Sequence, residues 1–477
     1  MVDRKPLNFV FFQPDEMRAE SLACYGHPLI QTPNYDRLAS EGVRFEQCHV
    51  QNAQCVPSRA SMMTGLYPHC AGHRTNWHLI RSHEPHLFRY LAEAGYDIRW
   101  YGKNDMLAQD SLDCITEYYE LVGPERKNPY ELDDKRYYTF DALPFDCERE
   151  DLEDYRKVKA GIEYLKSRKH DDPPFFLFLP LLQPHPSYTT HRDFYHMYRP
   201  EDIPALRPSD LDDKPIHYEL IRKYRRLNEL PEEFFKKLNA VYLGMISYTD
   251  WLFGELVAVM EECALFENTV LVVSSDHGDW AGDYGLVEKW PSDYCDLITR
   301  VPLLVKTPDC KSGHVVEGPV EMFDLMASVM ELADLELQHI HFAKSFVPQL
   351  RGESGDSERF VFSEGGYDTH EPHAFEGRWS ETNPPIEGNY YPKGRLQQEV
   401  PASVCRATMI RNLNYKLVRR TEGLSELYDL NEDPRELRNR INDPSMSSVR
   451  QRLESTLLDW YVKTSDTVPV GQDSRRF

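Results

Sequence analysis

Thr269-Val270-Leu271-Val272-Val273 runs without a break into Ser274-Ser275-Asp276-His277-Gly278-Asp279. An apolar, β-branched run closed by polar residues and glycine reads as a buried strand. Three other runs end the same way. Leu7 to Phe12 leads into Asp15-Glu16, and Asp97 to Tyr101 into Gly102-Lys103-Asn104-Asp105. Phe175 to Leu182 leads into Gln183-Pro184-His185-Pro186. Val301 to Lys306 is a further apolar run, and Val43–Val50 is strand-like. Amphipathic stretches lie between them, at Leu87–Ala94, Val158–Ser167 and Phe234–Cys263. This alternation predicts an α/β fold, a mostly parallel sheet flanked by helices. In such sheets ligands bind outside the carboxyl ends of the strands. One polar ending means little, because Asp and Gly close many strands as turn formers. Four endings with metal- and anion-binding chemistry point to a site on one sheet edge.

At 477 residues the chain can bury a large core and has room for one big domain and a smaller one. It carries 55 Lys and Arg against 78 Asp and Glu, a net charge of −23. Nucleic acids and anionic membranes need a basic footprint, so neither is expected as a partner. An acidic protein that binds an anion must gather its few cations at the site. Met-Val-Asp-Arg-Lys-Pro enters the first strand with no signal-peptide pattern, and no apolar run has membrane-spanning length. The ten cysteines are scattered without a C-x-x-C pair. That fits reduced thiols better than a disulfide framework, so a cytoplasmic location is expected.

Cys55-Val56-Pro57-Ser58-Arg59-Ala60-Ser61-Met62-Met63-Thr64-Gly65 is the second informative stretch. Taken alone it reads as a helix start, since proline is favoured in the first turn and a small cysteine packs beneath it. Arg59 falls one helical turn after Cys55, on the same face. The helix N-terminus offers free N–H groups and a positive dipole end to an anion. Asp15, Asp276 and His277 form a set able to hold a divalent cation, mostly through carboxylate oxygen. Singly, these residues also read as a surface turn and a polar strand end. Most of the 18 histidines must be structural or exposed, and His69, His73 and His78 are left unassigned on that ground.

The C-x-P-S-R core followed by Thr64-Gly65 resembles the signature of the formylglycine-dependent sulfatases, of the alkaline phosphatase-like superfamily. In that family the cysteine is oxidised by a formylglycine-generating enzyme to 3-oxoalanine, whose hydrate is the nucleophile. The resemblance covers nearly the whole chain. Thr32 to Ala39 and Gly42-Val43-Arg44-Phe45 match ahead of the cysteine, and Tyr294 to Leu304 matches further on. Glu426 to Leu430 and Asp433-Pro434 match near the end.

The resemblance implies hydrolysis of a small-molecule or saccharide sulfate ester. It implies Asp15, Glu16, Cys55, Asp276 and His277 as the metal set, with calcium the expected ion and manganese or zinc left open by His277. Cys55, Arg59, Lys103, His185 and Lys289 take the catalytic roles, and Asn76, Lys103, His185 and Lys289 contact substrate. Two positions depart from the pattern. Glu16 stands where many sulfatases have a second aspartate, which places the chain nearest the choline sulfatase and phosphonate monoester hydrolase branch, where the first aspartate, here Asp15, is the ligand and whether Glu16 is one stays open. Asp105 stands where a histidine usually follows Lys103: either Asp105 takes the proton when the hydrate collapses, or another histidine approaches, or the substrate differs from an ordinary aryl sulfate. A phosphonate monoester or phosphodiester hydrolase would use the same groups. A third reading is a sulfatase-like binding protein whose Cys55 is never oxidised. The alcohol carrying the sulfate and the oligomeric state, with a homo-oligomer among the options, stay open.

The predicted domains are an α/β catalytic unit over 1–365 and a C-terminal unit over 401–477. Residues 366–400, rich in Gly, Pro, Tyr and charge, read as an irregular connection of the lid type, with Trp379, Tyr390 and Tyr391 as candidate pocket wall. Parts of 186–230 are expected in that wall too. The C-terminal unit is read as a smaller α+β unit with an antiparallel sheet, with strand-like runs at Ala407–Ile410 and Tyr415–Val418, then the stretch Glu426–Leu430 and an amphipathic helix from Ser447 to about Lys463.

Overall fold

The computed structural model describes residues 5–378, 384–468 and 470; Trp379 lies outside them. Its strands are β1 (Asn8–Gln13), β2 (Val43–Phe45), β3 (Cys48–His49), β4 (Asp97–Tyr101), β5 (Glu117–Tyr119), β6 (Phe175–Pro180), β7 (Thr269–Ser274) and β8 (Arg300–Val301). They continue as β9 (Leu303–Lys306), β10 (His314–Val316), β11 (Val320–Glu321), β12 (Val361–Gly365), β13 (Ala407–Arg411), β14 (Tyr415–Arg420) and β15 (Glu426–Asp429). The helices that matter here are α1 (Cys55–Thr64), α2 (Glu153–Ser167), α3 (Glu232–Glu262), α4 (Tyr391–Glu399) and α5 (Ser447–Thr464).

An eight-stranded sheet in the order β10-β2-β9-β7-β1-β6-β4-β5 forms the centre. Only β9 runs against its neighbours in it. Successive side chains point to opposite faces, and both faces are buried. Phe9, Phe11, Phe176, Phe178, Val270 and Val272 join one core, while Val10, Phe12, Leu177, Leu179, Leu271 and Val273 join the other. Burial on both faces explains why these runs are continuously apolar rather than alternating. Ala60, Met62 and Met63 of α1 cover the first face; residues of α2 and α3 cover the second. β1, β4, β6 and β7 are parallel, so their polar endings emerge at one edge.

Two predicted strands are each split in two. Val43–Val50 becomes β2 in the large sheet and β3 in a small three-stranded sheet, β11-β3-β8. Val301–Lys306 divides at Pro302 into β8 of the small sheet and β9 of the large one. Both segments cross between sheets side by side, and a proline lacking an N–H marks the crossing in one of them. Cys55 therefore follows a small-sheet strand.

A four-stranded antiparallel sheet, β12-β13-β14-β15, builds the C-terminal unit. It includes Val361–Gly365, so the strand pairing begins upstream of residue 365. The 366–400 connection is not irregular throughout, because α4 occupies Tyr391–Glu399.

Candidate active site

The Cys55 helix is buried along its whole length. Pro57 sits in the first turn, where its missing N–H would have had no helical partner. Gly65 closes the helix at φ 67°, its N–H reaching Ser61 O at 2.9 Å. Ser58 Oγ donates to Asp276 O at 2.6 Å, which ties the helix to the end of β7. The turn after β7 also needs a bare Cα, since a side-chain carbon at Gly278 would lie 1.9 Å from Leu297 O.

Cys55 Sγ lies 3.2 Å from His277 Nε2, 3.8 Å from Asp15 Oδ1 and 4.0 Å from Lys103 Nζ. Burial pushes the thiol well above its ordinary pKa, so the sulfur is a thiol rather than a thiolate. His277 Nδ1 is 2.9 Å from Gly278 O, an acceptor only, so this nitrogen carries the proton and Nε2 presents a lone pair. Burial lowers the His277 pKa to about 4, consistent with that neutral tautomer.

Arg59 bridges the carboxylates of two strand ends, with Nε 2.8 Å from Asp276 Oδ2 and Nη2 3.2 Å from Asp15 Oδ2. Lys103 Nζ lies 2.9 Å from Asp15 Oδ2 and 2.6 Å from Asp105 Oδ2. Burial would raise the Asp15 carboxyl, but Lys103 and Arg59 hold it well below the usual carboxylate range. Glu16 behaves oppositely: burial raises it well above normal despite its ion pair with Lys289. Its backbone is held at φ 64°, and its N–H donates to Asp276 Oδ1 at 3.2 Å. His185 Nε2 is 3.2 Å from Glu16 Oε1, while its Nδ1 is 2.5 Å from Pro186 O.

The ligand atoms of Asp15, Glu16, Cys55 and His277 all lie within 4.8 Å of one another. Asp276 stands just outside this group, one oxygen engaged by Arg59 and the other by the N–H groups of Glu16 and His277. Its Oδ2 is still 3.9 Å from His277 Nε2. Glu16 Oε2 is buried with no hydrogen-bond partner. Carboxylates, one imidazole and an orphaned carboxylate oxygen are a donor set that fits a divalent cation.

A cleft of about 460 Å³ opens onto this cluster. Its walls bring together Cys55, Asn76, Lys103, Asp105, His185 and Lys289. Tyr390 lines it, whereas Tyr391 packs beside Tyr138. The sequence reading missed Trp77, Glu288, Glu376 and Lys393 in the same wall. Lys393 Nζ, from α4, pairs with Glu288 Oε1 at 2.8 Å, and Glu288 neighbours Lys289 in the chain. No local motif marks these residues, because the contact joins segments about a hundred positions apart.

Comparisons with known proteins place the chain in a family. The sulfatase family profile matches residues 7–335. The multifunctional alkaline phosphatase superfamily protein PehA of Trinickia caryophylli is 25% identical over 95% of this chain and 93% of its own. Human iduronate 2-sulfatase is 25% identical over 73% of this chain and 69% of its own. The phosphonate monoester hydrolase of Agrobacterium radiobacter superposes with a TM-score of 0.77 at 20% identity, covering 98% of this chain and 100% of that one. The chain belongs to the sulfatase family and is a sulfuric ester hydrolase of alkaline phosphatase-like fold.

Proposed function

We propose that the chain cleaves a sulfate ester in this cleft with Cys55, converted to 3-oxoalanine by a formylglycine-generating enzyme, as the source of the nucleophile. The observation that carries this reading is the setting of Cys55. It sits at a buried helix N-terminus with a neutral imidazole, a carboxylate and an ammonium group within 4.0 Å. A hydrated aldehyde there would supply two hydroxyls, one to attack sulfur and one whose proton loss expels sulfate. Asp15, Glu16, Asp276 and His277 would hold a divalent cation, with calcium the leading choice for an oxygen-rich set, and the ion would supply charge to polarise a sulfate oxygen.

The chain's own groups do the remaining work. Arg59 fixes Asp15 and Asp276, while Lys103, Lys289 and the N–H groups of the α1 N-terminus meet the negative charge of the sulfate. Asp105, 2.6 Å from Lys103 Nζ at the cleft wall, would take the proton released as sulfate leaves. Asn76 has a buried Oδ1 without a partner and offers a substrate contact. His185 has its Nδ1 proton directed to Pro186 O, so its Nε2 faces the cleft as an acceptor.

Human iduronate 2-sulfatase and a fold neighbour solved in complex with its substrate D-glucosamine-2-N,6-O-disulfate favour a sulfated saccharide as substrate. All ten cysteines are free, which favours a reducing compartment such as the cytoplasm. No helix among the described residues is long and apolar enough to cross a membrane. PehA and the phosphonate monoester hydrolases support a second reading, a phosphonate or phosphodiester substrate bound by the same groups. Relative kcat/KM on phenyl sulfate and phenyl phosphonate separates the two. Cys55→Ser is expected to lose multiple turnover on any sulfate ester. The peptide spanning Cys55 should show the aldehyde's lower mass in active protein. Undiminished turnover by the variant overturns the proposal.

A further inference from the structure

The departing oxygen needs a hydrogen-bond donor, and the lysines of the cleft are already assigned to the sulfate oxygens and to the carboxylates around them. Lys103 is paired with Asp15 and Asp105, and Lys289 with Glu16 and Glu288. His185 spends its ring proton on Pro186 O. Tyr390 has its hydroxyl 3.4 Å from His185 Nε2. That is well beyond the roughly 2.7–2.8 Å usual for an O–H donor, so a closer acceptor can draw it away.

The phenol is also held rigidly from behind. Tyr138 and Tyr137 hydroxyls donate to Ile386 O at 2.7 Å and Glu387 O at 2.9 Å. Arg225 Nη1 donates to Asn389 O at 3.0 Å and to Tyr138 O at 2.9 Å. These bonds take the carbonyls just ahead of Tyr390. Its ring packs edge-on against Phe140 with centroids 5.1 Å apart, and Arg225 lies over the same Phe140 ring at 4.7 Å. Downstream, Lys393 anchors α4 to Glu288 at 2.8 Å. The strap is thus fixed on both sides of the residue it presents to the cleft.

We propose that Tyr390 is a further catalytic residue, whose O–H donates a hydrogen bond to the ester oxygen as it departs. The inference rests on the ester-hydrolysis reading above and adds the leaving-group contact to it. As the S–O bond breaks, its electron pair goes to the alcohol oxygen. The phenol meets that growing charge with a hydrogen bond, a water in the open cleft protonates the alcohol oxygen, and the hydroxide this leaves is neutralised by the proton that the attacking hydroxyl releases. Burial keeps the phenol protonated well above its ordinary pKa.

Tyr390→Phe removes only the hydroxyl and keeps the ring on Phe140. Wild type and variant would be assayed on aryl sulfates, and on the matching phenyl phosphonates, whose leaving phenols span a wide pKa range. A donor to the leaving group matters most when that group departs poorly. The variant is expected to lose about a hundredfold in kcat/KM on unsubstituted phenyl esters and little on p-nitrophenyl esters, steepening the dependence on leaving-group pKa. The double variant Tyr137→Phe, Tyr138→Phe, which loosens the strap, is expected to steepen it to a smaller degree. Equal loss across the series, or none, overturns the proposal and leaves the ester-hydrolysis reading intact. A wild-type enzyme inactive on both ester classes overturns both.

Discussion

Arg59 carries the only guanidinium that joins two of the site's carboxylates among the described residues, and its side chain is fully buried with both of them. Removing one member of a buried ion-pair network leaves its partners uncompensated, at a cost of about 3–5 kcal/mol. Arg59→Met should therefore lower the unfolding free energy by that amount, read as a lower denaturant midpoint at unchanged m. Arg59→Lys restores charge without the two-pronged geometry and should recover part of it. A midpoint unmoved in the methionine variant refutes this account. Asp15, Arg59, Lys103, His185, Asp276 and His277 were legible in the sequence because each follows a strand end or a helix start, and parallel strands deliver their ends to one edge; Lys289 came only from the family resemblance. The immediate role of Asp276 was not legible. Its carboxylate turns toward Arg59 and two backbone N–H groups, a choice set by side-chain packing rather than by position in the chain.

At the level of elements, strands and helices were readable where burial gave a clear period, and failed where a segment changes sheets. Nothing in Val43–Val50 announces that its halves pair with different partners; β9 and β8 impose it. His69 shows a similar limit. It lies in the short helix after α1 and joins β12 to α5, with Nδ1 2.6 Å from Glu364 Oε1 and Nε2 2.7 Å from Thr464 O. Both partners accept, so both ring nitrogens donate and the ring is an imidazolium. Burial opposes that charge, but Cys70 and Glu364 outweigh it and raise His69 to about 10. Folding thus binds this proton more tightly than the unfolded chain, whose histidine titrates near about 6.5. The stabilisation is whole below about pH 6.5 and is lost as pH rises to about 10, at roughly 1.4 kcal/mol per pH unit. Urea midpoints measured over this range should fall in the wild type and stay flatter in His69→Gln. Parallel curves would show that His69 does not set the slope.

Across the whole molecule, the predicted division near residue 365 followed composition, which changes there, whereas the packing does not. β12 pairs with β13, so one strand of the C-terminal sheet arrives from the catalytic side of that division. Ile410, Leu417, Leu427, Leu453, Leu457 and Trp460 belong to the same continuous core as Phe9, Phe11 and Phe176 of the central sheet. Trp460 stacks on Phe362 at 4.7 Å and meets Tyr67 edge-on at 4.8 Å. Buried charges cross the same boundary: Arg411 Nη1 lies 2.6 Å from Asp296 Oδ2, and Arg420 Nη1 2.7 Å from Ser292 O. Exposing either unit alone would uncover apolar surface at roughly 25 cal/mol per Å² and strand these charges. The two units should therefore unfold together, in one calorimetric transition whose calorimetric and van't Hoff enthalpies agree. Two resolved transitions, the smaller abolished by truncation after residue 400, would show that the C-terminal unit is an independent domain and that the shared core does not couple them.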